Sequence, residues 1–328
     1  MEGCRAAAGW LNDMEGVGMI KQLQNVIVAN GDRGAIVPFS RIDDLKQDMM
    51  ALKDGDYHSD WLNRMVNHVT DDANKFIPSN LSFEPRSLIS VVMPSQKAIF
   101  QFCYRGGPID CTVPPVQTNF YQNNNRVLKY LSDYLSPLGF STALVVSLPH
   151  KLLSVRCGLG MYGRNNIFYN DDFGSYAQIM TYLSDLPCDE AEWFPIRRME
   201  RCANCSECVA ACPTGAIGAA RQLIDADRCI TYFNEPPGEF PEWLDRNAHN
   251  CVVGCMLCQD CCPENDKNKN NYRTGISFTE EETSELLNTK DDGHYSESLA
   301  AKLELTCLLP EFTTPDVLPR NLAALLRK

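Results

Sequence analysis

Cys202-Ala-Asn-Cys205-Ser-Glu-Cys208-Val-Ala-Ala-Cys212-Pro213 is answered further along by Cys255-Met-Leu-Cys258-Gln-Asp-Cys261-Cys262-Pro263, with Cys229 between them. Three thiolates two residues apart on a tight loop reach three corners of one iron–sulfur cubane, while the cysteine before proline faces a second cubane. Each run therefore needs the other. The spacing assigns Cys202, Cys205, Cys208 and Cys262 to one [4Fe-4S] cluster, and Cys212, Cys229, Cys255 and Cys258 to the other. Paired C-x2-C units also build closed zinc sites, but a zinc site has no use for a third cysteine at that spacing or a fourth before proline. Disulfides are disfavoured, because close C-x2-C spacing without a secretory signal argues for metal or redox chemistry.

Working outward, 328 residues with 44% hydrophobic side chains suffice for two or three domains, each with a core. Met1 to Trp10 lacks the basic-then-apolar layout of a signal peptide, and no apolar run is long enough to span a bilayer. The expected location is cytoplasmic, with no membrane partner. Thirty Lys plus Arg against 42 Asp plus Glu leave a net charge of -12, which repels polyanions and disfavours nucleic acid. Two basic patches flank the cysteine runs, Arg197, Arg198 and Arg201 before them and Lys267, Lys269 and Arg273 after. A solvated face, phosphate binding and docking of an acidic electron donor are the readings open to them.

From Gly34 to Pro187 short apolar runs alternate with helical periodicity, the pattern of an α/β or α+β domain. Ala35–Phe39, Leu88–Met93, Thr142–Ser147 and Tyr176–Leu183 read as strands. In Asn125–Leu138, residues Val127, Leu128, Leu131, Tyr134 and Leu135 share one helical face. A second helix over His150–Arg156 stops at Gly158. Glu200–Asn271 is rich in Gly, Pro, Asn and Cys, as loops around inorganic cores should be. Beyond it the chain is acidic and helical, and Leu318–Leu326 is expected to pack back on the rest. The fold class expected is α+β: an α/β domain, a ferredoxin-like domain with two [4Fe-4S] clusters, and a short helical tail. The segments are an extension over 1–33, the α/β domain over 34–199, the cluster domain over 200–271 and the tail over 272–328.

Arg156-Cys-Gly158-Leu-Gly160-Met-Tyr-Gly163-Arg-Asn165-Asn carries three glycines that let another molecule approach the backbone. Gly158-x-Gly160-x2-Gly163 has the dinucleotide-binding spacing, but that motif needs a strand before it and a helix after it, and here the order is reversed. A turn that merely lets two elements pack is the plainer reading, and the bend at Gly174-Ser175-Tyr176 invites the same one.

On these residues, together with Arg228-Cys229-Ile-Thr231, Gly254-Cys255 and the closing Arg320-Asn321-Leu322, the chain resembles the epoxyqueuosine reductase family and the related corrinoid-dependent reductive dehalogenases. The resemblance implies cobalamin held between an α/β domain and the clusters, with the clusters reducing it. It also implies Gly158, Gly160, Gly163, Asn165 and Thr231 as cofactor-binding residues. The family's proton donor, an Asp in an Asp-x-Gly-Pro stretch shortly before the glycine loop, has no counterpart, since Phe140 to Arg156 contains no carboxylate. Breaking a carbon–oxygen bond calls for a positioned acid, worth on the order of a hundredfold or more. His150 and Tyr162 are the candidates left to supply it.

Cys251 and Cys261 sit beside the runs but off register, and Cys4, Cys103, Cys111, Cys157, Cys188 and Cys307 show no metal spacing. His58, His68, His249 and His294 form no i, i+4 pair, which argues against a mononuclear metal site. The expected function is an iron–sulfur oxidoreductase fed by a low-potential donor of the ferredoxin or flavodoxin type, acting on a small-molecule or corrinoid acceptor. tRNA is disfavoured as a partner. An electron-transfer or activation protein without substrate chemistry, and a nucleic-acid-binding protein with structural clusters, are the alternatives.

Overall fold

The computed structural model describes residues 18–53, 63, 64, 66, 67, 78, 80–218, 223–289 and 294–326. Cys4, His58 and His68 lie outside them. The strands are β1 (Arg33–Pro38), β2 (Ser87–Pro94), β3 (Lys97–Tyr104), β4 (Gly107–Val113), β5 (Thr142–Val145), β6 (Met161–Tyr162), β7 (Phe168–Tyr169), β8 (Ala177–Ser184) and β9 (Tyr272–Phe278). They form sheets ordered β1-β2-β8-β5, β4-β3-β9 and β6-β7. Packing groups the chain into two compact units, one of Met1–Pro94, Tyr121–Met161 and Ile179–Arg197, the other of Ser95–Phe120, Tyr162–Gln178 and Arg198–Lys328. The architecture is the mixed α and β one that the apolar runs imply.

In the first unit β2 is buried along nearly its whole length, as a continuous apolar run in a covered strand should be. β1 pairs with it antiparallel, and β5 pairs antiparallel with β8. Within the segment expected as an extension, residues 18–29 are helical and bury Leu23 and Ile27. The helix Phe120–Leu135 buries Val127, Tyr130, Leu131 and Leu135, and its buried Asn124 accepts a hydrogen bond from the Tyr182 hydroxyl at 2.7 Å. Asp32, fully buried, is matched by Arg126 and by the Tyr130 hydroxyl, each at 2.8 Å. A buried carboxylate with both partners in place avoids the cost of an unpaired charge. The helix His150–Arg156 is tied to β2 by the Ser90–Ser154 hydroxyl pair at 2.8 Å.

The second unit is built on the β3–β4 hairpin. Its two-residue turn, Arg105-Gly106, has φ of 53° and 80°, the doubly left-handed geometry that matches strand twist. β9 joins β3 in parallel with a register shift between Ile99 and Gln101. A Cβ on Gly275 would lie 2.2 Å from the Phe100 ring, so only glycine admits that strand here. Phe102 and Phe278 stack at 4.7 Å in a core that also holds Val252, Val253, Leu286, Leu303 and Leu322. The tail thus packs on the cluster segment, and Asn321 Nδ2 donates to the carbonyls of Asn234 at 2.8 Å and Val252 at 2.9 Å. A Thr279/Glu282 capping box starts the helix Glu280–Asn288. Among the described residues no helix is long and apolar enough to cross a membrane.

Candidate metal centre

Each cysteine run lies along a short turn–helix–turn. Cys202 belongs to the 3-10 turn Glu200–Ala203, Cys208 to the helix Glu207–Ala211, and Cys212 caps that helix. In the second run the helix Leu257–Asp260 carries Cys258, and Cys262 caps the turn Pro263–Asn265. Cys229 sits between the turn Ala226–Arg228 and the helix Ile230–Asn234, capping both. Elements this short hold their shape through side-chain hydrogen bonds. Asn250 accepts from the Met256 N–H at 2.9 Å and donates to the Ala248 carbonyl and the Cys255 sulfur, both at 3.1 Å. Asn265, fully buried, donates to the Ser175 hydroxyl and the Gln259 carbonyl at 2.8 Å each.

The structure gathers the thiols into two sets. Burial raises Cys208 to about 11, and Cys261, Cys202, Cys262 and Cys205 raise it further as neighbouring thiols. Burial likewise raises Cys255 to about 11, with Cys229 and Cys212 as its thiol neighbours. Cys258, raised by burial, faces Cys255 and Cys229 and is also near Cys208, so the sets are adjacent. Burial keeps bare Cys208 and Cys255 thiols protonated, and an iron cluster would stabilise their thiolates. N–H donors already point at the sulfurs: Arg164 N to Cys202 at 3.4 Å and Asn250 Nδ2 to Cys255 at 3.1 Å. The donor set and its hydrogen bonds fit iron–sulfur ligation. Among the described residues no three His, Cys, Asp or Glu side chains draw together tightly enough to hold a single metal ion.

Cys212, Cys229, Cys255 and Cys258 all line one cleft of about 140 Å³ in the second unit. Asn165 and Thr231 line it too, as do Gln117, Glu235 and Gln259 between apolar walls such as Ile167 and Ile217. Gly163 does not need a ligand to explain it: a Cβ there would lie 2.6 Å from Asn165 Oδ1 and from the Tyr169 ring. Gly158 has φ of 75°, and a Cβ there would lie 2.6 Å from the Phe194 ring, both residues being in the first unit, to which Gly160 also belongs. The same holds for the bend at Gly174, where a Cβ would meet Asn265 Oδ1 at 2.4 Å. The segment runs from a helix into β6, the reverse of the dinucleotide-binding order.

His150 lies in the first unit with both ring nitrogens engaged, Nδ1 with the Thr181 hydroxyl at 2.9 Å and Nε2 donating to the Val146 carbonyl at 3.3 Å. Burial pushes its pKa down to about 4, so its ring is neutral at pH 7. Tyr162 accepts the Met199 N–H through its carbonyl and is not among the residues lining the cleft. Cys157 is buried and pushed up to about 12 by that burial, an unreactive thiol. Cys251 is buried with Tyr176 and Met256. In the basic patches Arg201 pairs with Glu264 and Lys269 with Asp266, each at 2.6 Å.

Glu235 is the residue that motif reading passes over. It follows Thr231 by one helical turn, so both reach the same wall. Its carboxylate accepts from Gln117 Nε2 at 2.5 Å. Burial pushes it up to about 7, the Gln117 hydrogen bond pulls it down, and nearby Glu311 raises it. The i, i+4 spacing from Thr231 was a signal for it. Gln117 comes from a distant segment and had none.

Residues 201–265 match the family described as a 4Fe-4S double cluster binding domain. With the thiol-lined cleft, that match defines a double-cluster iron–sulfur domain over residues 201–265. The epoxyqueuosine reductase of Bacillus anthracis is 32% identical over 118 residues, 36% of this chain and 30% of that one. That of Gloeobacter violaceus is 35% identical over 111 residues, 33% of each. A crystal structure of selenomethionine-labelled epoxyqueuosine reductase matches 95% of this chain and 82% of that one, with a TM-score of 0.65 and 19% identity. Another, of epoxyqueuosine reductase with an epoxyqueuosine-modified tRNA-Tyr stem loop, matches 94% of this chain and 81% of that one, with a TM-score of 0.61 and 18% identity. The chain resembles the epoxyqueuosine reductases in sequence and has their fold; it spans about a third of the length of the curated relatives it matches.

Proposed function

We propose that this chain is a cytoplasmic iron–sulfur reductase that takes electrons singly from a low-potential donor of the ferredoxin or flavodoxin type and passes them to an acceptor in the cleft. Cys202, Cys205, Cys208 and Cys262 would hold the entry cluster, and Cys212, Cys229, Cys255 and Cys258 the one that faces the acceptor. The observation that carries this reading is that all four thiols of the second set open onto one cleft with Asn165, Thr231 and Glu235. The proximity of Cys208 to Cys258 supports a short electron path between the sets.

Bound clusters would supply the one-electron steps, and a corrinoid would supply a low-potential metal centre for reducing a carbon–oxygen bond such as that of an epoxide. Thr231 and Asn165 are the residues that would meet the corrinoid. The enclosed volume, about 140 Å³, is below the roughly 300–1,000 Å³ of pockets that bury drug-sized ligands. A corrinoid would therefore present only part of itself to this cleft. The chain's own residues hold the thiols in place, donate N–H groups to their sulfurs and line the cleft with apolar side chains that limit water.

The net charge of -12 weighs against tRNA, whereas a protein of the same fold has been captured with an epoxyqueuosine-modified stem loop. An epoxide carried on RNA is therefore the first substrate to try. A second reading, electron transfer without substrate chemistry, is favoured by the small enclosed volume. Anaerobically reconstituted protein mixed with cob(II)alamin separates the two by EPR. A cob(II) signal that shifts on mixing and vanishes with a low-potential reductant supports the first reading. Clusters that become reduced beside an unchanged cobalamin signal leave the second.

A further inference from the structure

We propose that the Glu235 carboxyl, held by Gln117 in the wall of the thiol-lined cleft, is the proton donor for the reduction carried out there. This rests on the reductase reading above. The need arises from the sequence, since Phe140 to Arg156, where the family resemblance puts an acid, contains no Asp or Glu. His150 is no substitute as it stands, because its Nε2–H is committed to the Val146 carbonyl.

Glu235 meets the requirements of a general acid on geometry first. It ends the helix Ile230–Asn234, and its N–H bonds the Thr231 carbonyl at 3.2 Å. The residue before it, Asn234, is fully buried, donates to the Gly254 carbonyl at 2.9 Å and accepts from Asn321 at 2.8 Å. That network fixes the helix end, and Gln117 Nε2, from the turn Pro115–Gln117, fixes the carboxylate at 2.5 Å. Glu311, from the turn Pro310–Phe312, is the other charged group acting on it, and the thiols of Cys229 and Cys255 line the same cleft. Burial brings its pKa to about 7, where protonated and ionised forms are both populated at neutral pH. A donor tuned near the working pH can give up its proton and regain it in each cycle.

For an epoxide the balance is one epoxide, two electrons and two protons to one alkene and one water. The electrons come singly from the low-potential donor through the clusters. As the first carbon–oxygen bond breaks, its electron pair leaves with the oxygen, which takes the Glu235 proton, and the two delivered electrons stay as a pair on the carbon. Expulsion of that oxygen by the electron pair forms the alkene, and the departing hydroxide takes its second proton from solvent. Glu235 regains its own proton from solvent afterwards.

The test uses full-length, anaerobically reconstituted wild type, Glu235→Gln and Gln117→Leu, with added cobalamin, a reductant and a tRNA stem loop carrying epoxyqueuosine. Iron content and EPR spectra should match across all three. Wild-type turnover should fall as pH rises past 7. Glu235→Gln should lower it on the order of a hundredfold and abolish that alkaline limb, while Gln117→Leu, which removes a bond favouring the carboxylate, should move the limb to higher pH. Independently of turnover, infrared difference spectra should show a protonated carboxyl that fades between pH 6 and pH 8, at about the pKa that burial gives the group, and that is absent in Glu235→Gln. Wild-type turnover and pH profile in Glu235→Gln, or no such carboxyl in the wild type, would overturn the role of Glu235. Wild type that carries its clusters but leaves the epoxide intact would overturn the reductase reading instead.

Discussion

The Asn165 side-chain amide donates to the Tyr169 hydroxyl at 2.9 Å, and that hydroxyl in turn hydrogen-bonds the Cys262 thiol. The same amide nitrogen donates to the Cys258 carbonyl at 3.1 Å. Asn165 thus touches Cys258 directly and reaches Cys262 through Tyr169.

Hydrogen bonds to a cluster sulfur stabilise the more negative, reduced state. Tyr169→Phe should therefore lower the midpoint potential of the cluster proposed on Cys202, Cys205, Cys208 and Cys262, and change the other less. An EPR-monitored redox titration reads this directly; equal potentials in variant and wild type would mean that the hydroxyl does not act on that cluster.

Cys229→Ser should remove one cluster and spare the other. Cys229 neighbours Cys212, Cys255 and Cys258, so the thiols of the first set stay complete. Iron analysis should show about half the wild-type content. Loss of all iron would show that the two sets bind cooperatively.

Gly275→Ala should destabilise the second unit irrespective of any cofactor. The added methyl would sit 2.2 Å from the Phe100 ring and 2.9 Å from the Ile99 carbonyl, which is backbone and cannot turn aside. Overpacking of this kind costs roughly 1–3 kcal/mol, and thermal melts of the variant should show it.

Glu235 also makes stability depend on pH. Its pKa rises from 4.5 to about 7 on folding, so the folded state holds a proton that the unfolded state releases as pH passes 4.5. Wild type should lose stability as pH climbs from about 4.5 to 7, by on the order of 3 kcal/mol, and then level off. Glu235→Gln should lack that loss, so its Tm advantage over wild type should be larger at pH 8 than at pH 5. An advantage that does not change with pH would show that burial leaves Glu235 unshifted.

Much of this molecule was legible because its signals are local. The His150–Arg156 helix has the bounds that its pattern and Gly158 predict, and Leu318–Leu326 packs back on the core as expected, as a helix. Thr142–Val145 and Ala177–Ser184 fall within a residue or two of the expected strands. The β4-β3-β9 sheet was not foreseen, although β3 buries alternate residues from Ala98 to Phe102 and Arg105-Gly106-Gly107 marks a turn. Its strands are short of continuous apolar runs, and β9 joins β3 across more than 160 residues of chain, a pairing no local window contains. The cleft divides the same way. Cys212, Cys229, Cys255 and Cys258 follow from spacing, whereas Gln117 is brought in by the segment after the hairpin and converges on Glu235 only in three dimensions. The glycines are ambiguous in sequence, because a residue that admits a ligand and one that admits Phe194 or Tyr169 look alike there.

The most direct measurement is iron and acid-labile sulfide per chain in anaerobically reconstituted protein, with EPR of the dithionite-reduced form. Two clusters require about eight iron and eight sulfide, with signals broadened by coupling between neighbouring centres. A single zinc, or about four iron with one isolated signal, would contradict the two-cluster assignment of Cys202, Cys205, Cys208 and Cys262 and of Cys212, Cys229, Cys255 and Cys258.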